Sequence, residues 1–111
     1  MNEPTIRRGD IWWVSLDATQ GAEVKKTRPC LVLTSDTLNR LRKTVVVIPL
    51  STAAKAHPPI SVPITCQDQA AVAVIDQIRA VGKHRLRTRI ECVSDRDMSV
   101  VARAVSEILE L

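Results

Sequence analysis

The sequence predicts a mainly β domain with a C-terminal α-helix, a small and strongly bent sheet or barrel of five to seven strands. Three observations predict it. Val, Ile, Leu and Ala dominate the apolar residues, with no Phe, no Tyr and two Trp, and a composition rich in β-branched side chains favours sheet. Short apolar runs recur between polar or proline-containing stretches, the pattern of strands joined by turns. The segment from Ser94 to Leu111 is the one clear helix, with apolar residues at three-and-four spacing, as one face of a helix requires.

Each element follows from its residues. "DIWWVSL" (Asp10 to Leu16) reads as a strand, followed by a long polar loop from Asp17 to Thr27. Trp12 and Trp13 are adjacent on it and point to opposite faces; one enters the core, and the other lines a dimer surface or a base-stacking site. "RPCLVLT" (Arg28 to Thr34) is a second strand. Arg28 precedes Pro29, which confines its backbone to extended geometry. "SDTLNR" holds a turn or short helix capped by Ser35 or Asp36. "TVVVIPL" (Thr44 to Leu50) is a central strand buried on both faces. "STAAKAHPP" is a loop whose prolines bar a continuing central strand. "ISVPI" (Ile60 to Ile64) is an edge strand, because Pro63 cannot donate to a ladder. "AAVAVIDQIRAV" (Ala70 to Val81) has helical propensity, but its β-rich neighbourhood favours one strand or two short ones. "RIECV" is the last strand. In the terminal helix Ser94 is the cap and Asp97 stands three residues on, the capping-box spacing. Met98, Val101, Ala102, Val105, Ile108 and Leu109 form its apolar face.

A chain of 111 residues is expected to be one domain, residues 1–111, able to bury its own core. No stretch approaches the roughly 20 apolar residues that span a bilayer, and "MNEPTIRRGD" lacks the apolar centre of a signal peptide. A cytoplasmic protein with no membrane partner is expected. Cys30, Cys66 and Cys92 are far apart in sequence, with only His57 and His84 as possible co-ligands. A zinc site needs closely spaced pairs, so neither metal nor cofactor is expected. Cys30 and Cys92 lie in apolar runs and are expected to be buried thiols.

The formal charge is +4, and its distribution is uneven. From Gln77 to Ile90 stand Arg79, Lys83, Arg85, Arg87 and Arg89 with no acid; from Val24 to Lys43 six cations face Asp36 alone. The last twenty-one residues are instead net acidic. A basic body with such a tail suits a polyanion at one face. The plain alternative is a solvated basic surface.

There is no phosphate-cradling glycine loop, no Ser/His/Asp order, and no HExxH or CxxC. Two polar loops remain, one ending in Arg28 and one starting at Ser51-Thr52, together with "DQIR", where Asp76, Gln77 and Arg79 interrupt an apolar run. Metal-free chemistry on a polyanion is open to such a set. RNA carries its own nucleophile, the 2′-hydroxyl beside the scissile phosphate, so a protein can cleave it by positioning that group and stabilising the phosphorane. A guanidinium donates two parallel hydrogen bonds to phosphate oxygens, and a Ser or Thr hydroxyl donates another. Proton transfer needs a separate agent, because Arg stays charged.

"RRGDIWWVSLD", "GAE…TRPCLVL", "NR", "TVVVIPLST", "DQIRAV" followed by "RL", and the closing "ILEL" resemble, in order, the MazF/PemK toxins of bacterial toxin–antitoxin pairs. The resemblance runs from about Arg8 to Leu111. It implies an SH3-like barrel of the CcdB/MazF type and a homodimer. The implied activity is metal-independent cleavage of single-stranded RNA at short motifs, leaving 2′,3′-cyclic phosphate and 5′-hydroxyl ends. It also implies an acidic, partly disordered antitoxin, and contact with operator DNA through the antitoxin complex. Arg28 matches the family's catalytic arginine, and Ser51, with Thr52 beside it, falls at the catalytic threonine's place. Gly21 and Glu23 match the loop that closes over RNA; Asp76 and Gln77 match residues near the scissile nucleotide.

Lys25, Lys26 and the Arg79 to Arg89 cluster are expected to draw RNA in, with His57 as a further candidate contact. The family pattern is broken at Val24-Lys25-Lys26, at Ala22 and at Val74. Some members carry histidine at the Ala22 place and arginine at the Val74 place, so their proton transfer does not carry over. Two other readings keep the barrel. One is a gyrase-poisoning toxin of the CcdB type, which ends in an aromatic-containing motif where this chain ends "EILEL". The other is a nucleic-acid-binding barrel without activity.

Overall fold

The structure is a computed structural model that describes residues 5–16 and 26–111. It contains the strands β1 (Asp10–Ser15), β2 (Thr27–Val32), β3 (Thr44–Ser51), β4 (Ser61–Cys66), β5 (Gln69–Val74), β6 (Arg79–Gly82) and β7 (Leu86–Cys92). Two helices accompany them, α1 (Asp36–Leu41) and the long α2 (Asp95–Leu109). The strands run β4-β5-β3-β2-β1-β7 in one curled antiparallel sheet, with β6 also paired to β3. The expected mainly β barrel with a C-terminal helix is what forms.

Alternation within the central strands builds two cores, one on each face of the sheet. Trp12, Val14, Cys30, Val32, Val45, Val47 and Val81 form one of them. Ile11, Leu31, Ile48, Leu50 and Ala73 face the other way, toward Val101, Ala104 and Val105 of α2. Burial on both faces explains why β3 reads as a nearly continuous apolar run. Ser94 caps α2 by accepting the Asp97 N–H at 3.0 Å. Ser35, rather than Asp36, caps α1 by accepting from the Leu38 N–H at 3.3 Å.

β3 is the strand on which the sheet divides. Its first half, Thr44 to Val47, pairs with Gly82 to Arg79 of β6. Its last two residues, Leu50 and Ser51, pair with Ala73 and Val72 of β5. Ile48 and Pro49 between them have no register partner on that side. Pro49 offers no N–H that would need one. A 3-10 turn, Ile75–Gln77, links the diverging strands, so Ala70 to Val81 forms two short strands and a turn.

Three expectations need correction. Cys92 is exposed, not buried, because β7 pairs only with β1 at the sheet edge and its outward face is uncovered. The fourth strand starts at Ser61 rather than Ile60 and runs to Cys66, leaving Ile60 52% exposed. The apolar face of α2 is centred on Val101, Ala104 and Val105, and Leu109 lies beyond it with 49% exposure.

Candidate functional site

Where β5 and β6 part from β3, a concavity of about 520 Å³ opens beside the start of β2. Its polar lining is Lys26, Arg28, Ser51, Gln77 and Arg79; Leu16, Pro49, Leu50, Ala54 and Val74 make the walls and floor. The register explains the meeting. Cys30 lies opposite Pro49, so Arg28, two residues earlier, comes opposite Ser51, two residues later, where β2 starts and β3 finishes. Val47 lies opposite Arg79 on β6, which places Gln77, two residues earlier, beside Pro49.

Arg28 is exposed and, among the described residues, enters no ion pair. Its guanidinium is therefore available to a ligand. Arg79 is likewise unpaired, and no ion pair joins it to Asp76. Beneath them the Cys30 thiol is fully buried. Burial pushes its pKa up to about 12, against the opposing pull of Arg79 and Arg28. Arg28 and Arg79 meet as lining residues of the same concavity.

Ser51 is the last residue of β3. Its Oγ accepts the N–H groups of Ala53 and Ala54 at 3.2 and 3.1 Å. These bonds fix the side chain and use only its acceptor capacity, so the hydroxyl proton can still be donated. Thr52 does not line this concavity. It lines a neighbouring one, of about 450 Å³, together with Trp13, Pro29, Ala53 and the same Lys26, Arg28 and Ser51. Trp12 is 4% exposed and Trp13 is 38% exposed, the opposite orientations expected of neighbours on a strand.

Not every candidate residue comes to the concavity. Asp76 sits on the 3-10 turn next to Gln77 but is not among the lining residues; it is exposed, and its N–H meets the Ile60 carbonyl at 3.3 Å. His57 stands at the entry to β4, its N–H bonded to Ser61 Oγ at 2.8 Å, with an exposed side chain away from the lining set. Gly21, Glu23 and Lys25 lie outside the described residues. Among the described residues no three His, Cys, Asp or Glu come together as metal ligands. Sequence reasoning missed Leu16, Ala54 and Pro49. For Pro49 a signal existed, since a proline inside a run that reads as a central strand marks irregular pairing.

A larger concavity, about 650 Å³, lies elsewhere, between α2 and Pro58-Pro59. Its floor is apolar (Val62, Val100, Ala104), and its charged residues Arg96, Arg103 and Glu107 include both signs. The smaller concavity is the stronger candidate, because several different donors converge there.

Comparison with known proteins agrees with this placement of the fold. A family model described as "PemK-like, MazF-like toxin of type II toxin-antitoxin system" matches residues 7–109. The chain is 32% identical to the Endoribonuclease MazF of Staphylococcus saprophyticus, over 96% of this chain and 92% of that one. Among solved structures it is similar to MazF of Deinococcus radiodurans, with a TM-score of 0.82 and 19% identity over 98% and 100% of the two chains. It is also similar to a mycobacterial endoribonuclease solved with its cognate antitoxin, with a TM-score of 0.81 and 22% identity over 96% of each chain. At those identities the two structures speak for the fold alone. No described helix is long and apolar enough to cross a membrane.

Proposed function

The chain belongs to the PemK/MazF toxin family of type II toxin–antitoxin systems and is an endoribonuclease; from that premise we propose that it cuts single-stranded RNA at short motifs by letting the RNA attack itself. The 2′-hydroxyl attacks the adjacent phosphorus, the P–O5′ bond breaks, and the ends left are a 2′,3′-cyclic phosphate and a 5′-hydroxyl. The protein's task is to hold the nucleotide in line and to stabilise the extra charge on the phosphorane.

Arg28 supplies two parallel N–H donors to the non-bridging oxygens, and the Ser51 hydroxyl supplies a third from the facing strand. Lys26 and Arg79 neutralise flanking phosphates. The Gln77 amide, which both donates and accepts, suits an unstacked base edge or a ribose hydroxyl. Thr52 is the alternative hydroxyl. Asp76 and His57 are rim contacts at most, and Gly21, Glu23 and Lys25 are further proposed contacts to RNA. No histidine lines the concavity, so the 2′-hydroxyl proton is lost to water and the departing 5′-oxygen takes one from water, or the proton passes between the two within the RNA. The reaction asks for no cofactor.

One observation carries this reading: an unpaired Arg28 faces a Ser51 whose proton is free to donate, at the point where the sheet opens. The partners proposed with it are a second copy of the chain, operator DNA through the toxin–antitoxin complex, and an acidic, partly disordered antitoxin. That antitoxin would fold onto the basic surface and block it. The cytoplasm is the proposed location.

The test is incubation with a defined single-stranded RNA in EDTA. Discrete cuts bearing cyclic-phosphate ends, lost in Arg28→Ala, are expected. Intact RNA together with stalled gyrase would instead establish the CcdB-type reading, and bound but uncut RNA a barrel without activity.

A further inference from the structure

The chain has two aromatic residues apart from histidine, and only Trp13 reaches the surface. On its face of β1, Ile11 is fully buried in the core that packs on α2. Two residues further on, Trp13 lies on the same face but is left uncovered. It stands opposite Pro29, and the β2–β3 register carries the row on to Leu50, so Trp13, Pro29 and Leu50 make an apolar floor across three strands. That floor belongs to the neighbouring concavity. Lys26, Arg28 and Ser51 line both concavities, so the donors proposed to hold the scissile phosphate stand between them.

An apolar slot with one exposed aromatic, edged by cations, has the chemistry of a nucleotide's two halves. The indole offers its face to a base, and the cations meet the phosphates on either side. We infer that Trp13 is the stacking platform for the nucleobase adjoining the phosphate held by Arg28. The strand then crosses the arginine from one concavity to the other. This inference rests on the ribonuclease reading and adds to it a subsite that tolerates any base, since every base has a π-face. Sequence preference is left to the side containing Gln77.

A randomised 2′-O-methyl RNA oligomer, whose blocked hydroxyl prevents cleavage, is the probe. Tryptophan emission and the anisotropy of the labelled oligomer are read together. The oligomer should quench emission in the unaltered protein and in Trp12→Phe; inorganic polyphosphate should bind without quenching. Trp13→Ala should weaken oligomer binding by about 5- to 100-fold, Trp13→Phe should retain most of it, and neither should alter polyphosphate binding. The emission of buried Trp12 reports that each Trp13 variant is folded.

Binding without quenching, or Trp13→Ala binding as tightly as the original, overturns the inference and leaves the ribonuclease reading intact. An indole already shielded from iodide in the free protein also overturns it, because a second copy of the chain would then cover that face. No binding of the oligomer by any measure overturns both.

Discussion

The two ends of β3 are both basic, and they differ in what the sheet does there. At the Thr44 end a groove of about 420 Å³ is lined by Arg40, Leu41, Arg42, Lys43, Lys83 and His84. At the Ser51 end, roughly 23 Å away by strand rise, are Lys26, Arg28 and Arg79. The Thr44 end carries the greater cation density. There β3 and β6 stay zipped, with Thr44 opposite Gly82 and the Lys83 N–H bonded to the Lys43 carbonyl at 2.8 Å, so its side chains project outward from a closed ladder. At the Ser51 end the ladder divides, and a guanidinium, a hydroxyl and an amide from three segments turn toward one space. Cation density marks affinity for a polyanion; an opening in the sheet marks where chemistry is possible.

Exchanging residues at the two ends tests that contrast most severely. Arg28→Ala should lower the rate of RNA cleavage by about 10²- to 10³-fold, the usual cost of removing one donor to a developing anion. Lys43→Ala combined with Lys83→Ala should leave the rate at saturating RNA within about threefold, and should weaken binding and flatten its dependence on salt. Single-turnover cleavage and a salt titration separate the two effects. Equal losses of rate at both ends would show that charge alone carries the activity.

The next comparison lies within the Ser51 end. Ser51 lines both concavities and Thr52 only one. Ser51→Ala should therefore slow cleavage by about 10- to 100-fold, and Thr52→Ala by less than about threefold, measured on the same RNA. Ser51→Thr keeps both the hydroxyl and the acceptor for the Ala53 and Ala54 N–H groups, and should restore most of the rate. If Thr52→Ala is the slower variant, the two hydroxyls exchange roles.

The Thr44 end and the strands around it were legible in the sequence because their signals are local. The Ser35 and Ser94 caps, the β-branched run of β3 and the opposed tryptophans each depend on residues within a few positions. The Ser51 end depends on register across β2, β3 and β6, which no single segment encodes. Arg28 and Ser51 were found there through the order of matched blocks, and Pro49 was passed over inside an apolar run. The hairpin joining β4 to β5 escaped for a related reason. Its two turn residues, Gln67 and Asp68, have φ of 54° and 61°, a left-handed pair usually announced by Asn-Gly or Asp-Gly. Cys92 failed because a strand's outer face is buried only if something packs on it, and β7 is an edge.

The smallest expected effect lies beneath the surface of the Ser51 end, in the thiol of Cys30. Burial raises its pKa to about 12 from the ordinary 9.0, although Arg79 and Arg28 pull it down. Below pH 9 the folded and unfolded chains both keep the proton, and the thiol adds no pH dependence. Above pH 9 the unfolded chain releases it while the folded chain holds it up to about pH 12. Rising pH therefore favours unfolding over that window. From pH 9 to pH 10 the loss is about 1 kcal/mol. Cys30→Ala lacks this component, so the stability of the original protein relative to that variant, read from urea midpoints, should fall by that amount over the same interval. A constant difference would mean that the sulfur meets water in the folded chain. In the same samples exposed Cys92 should react with a disulfide reagent at once, and Cys30 only on unfolding.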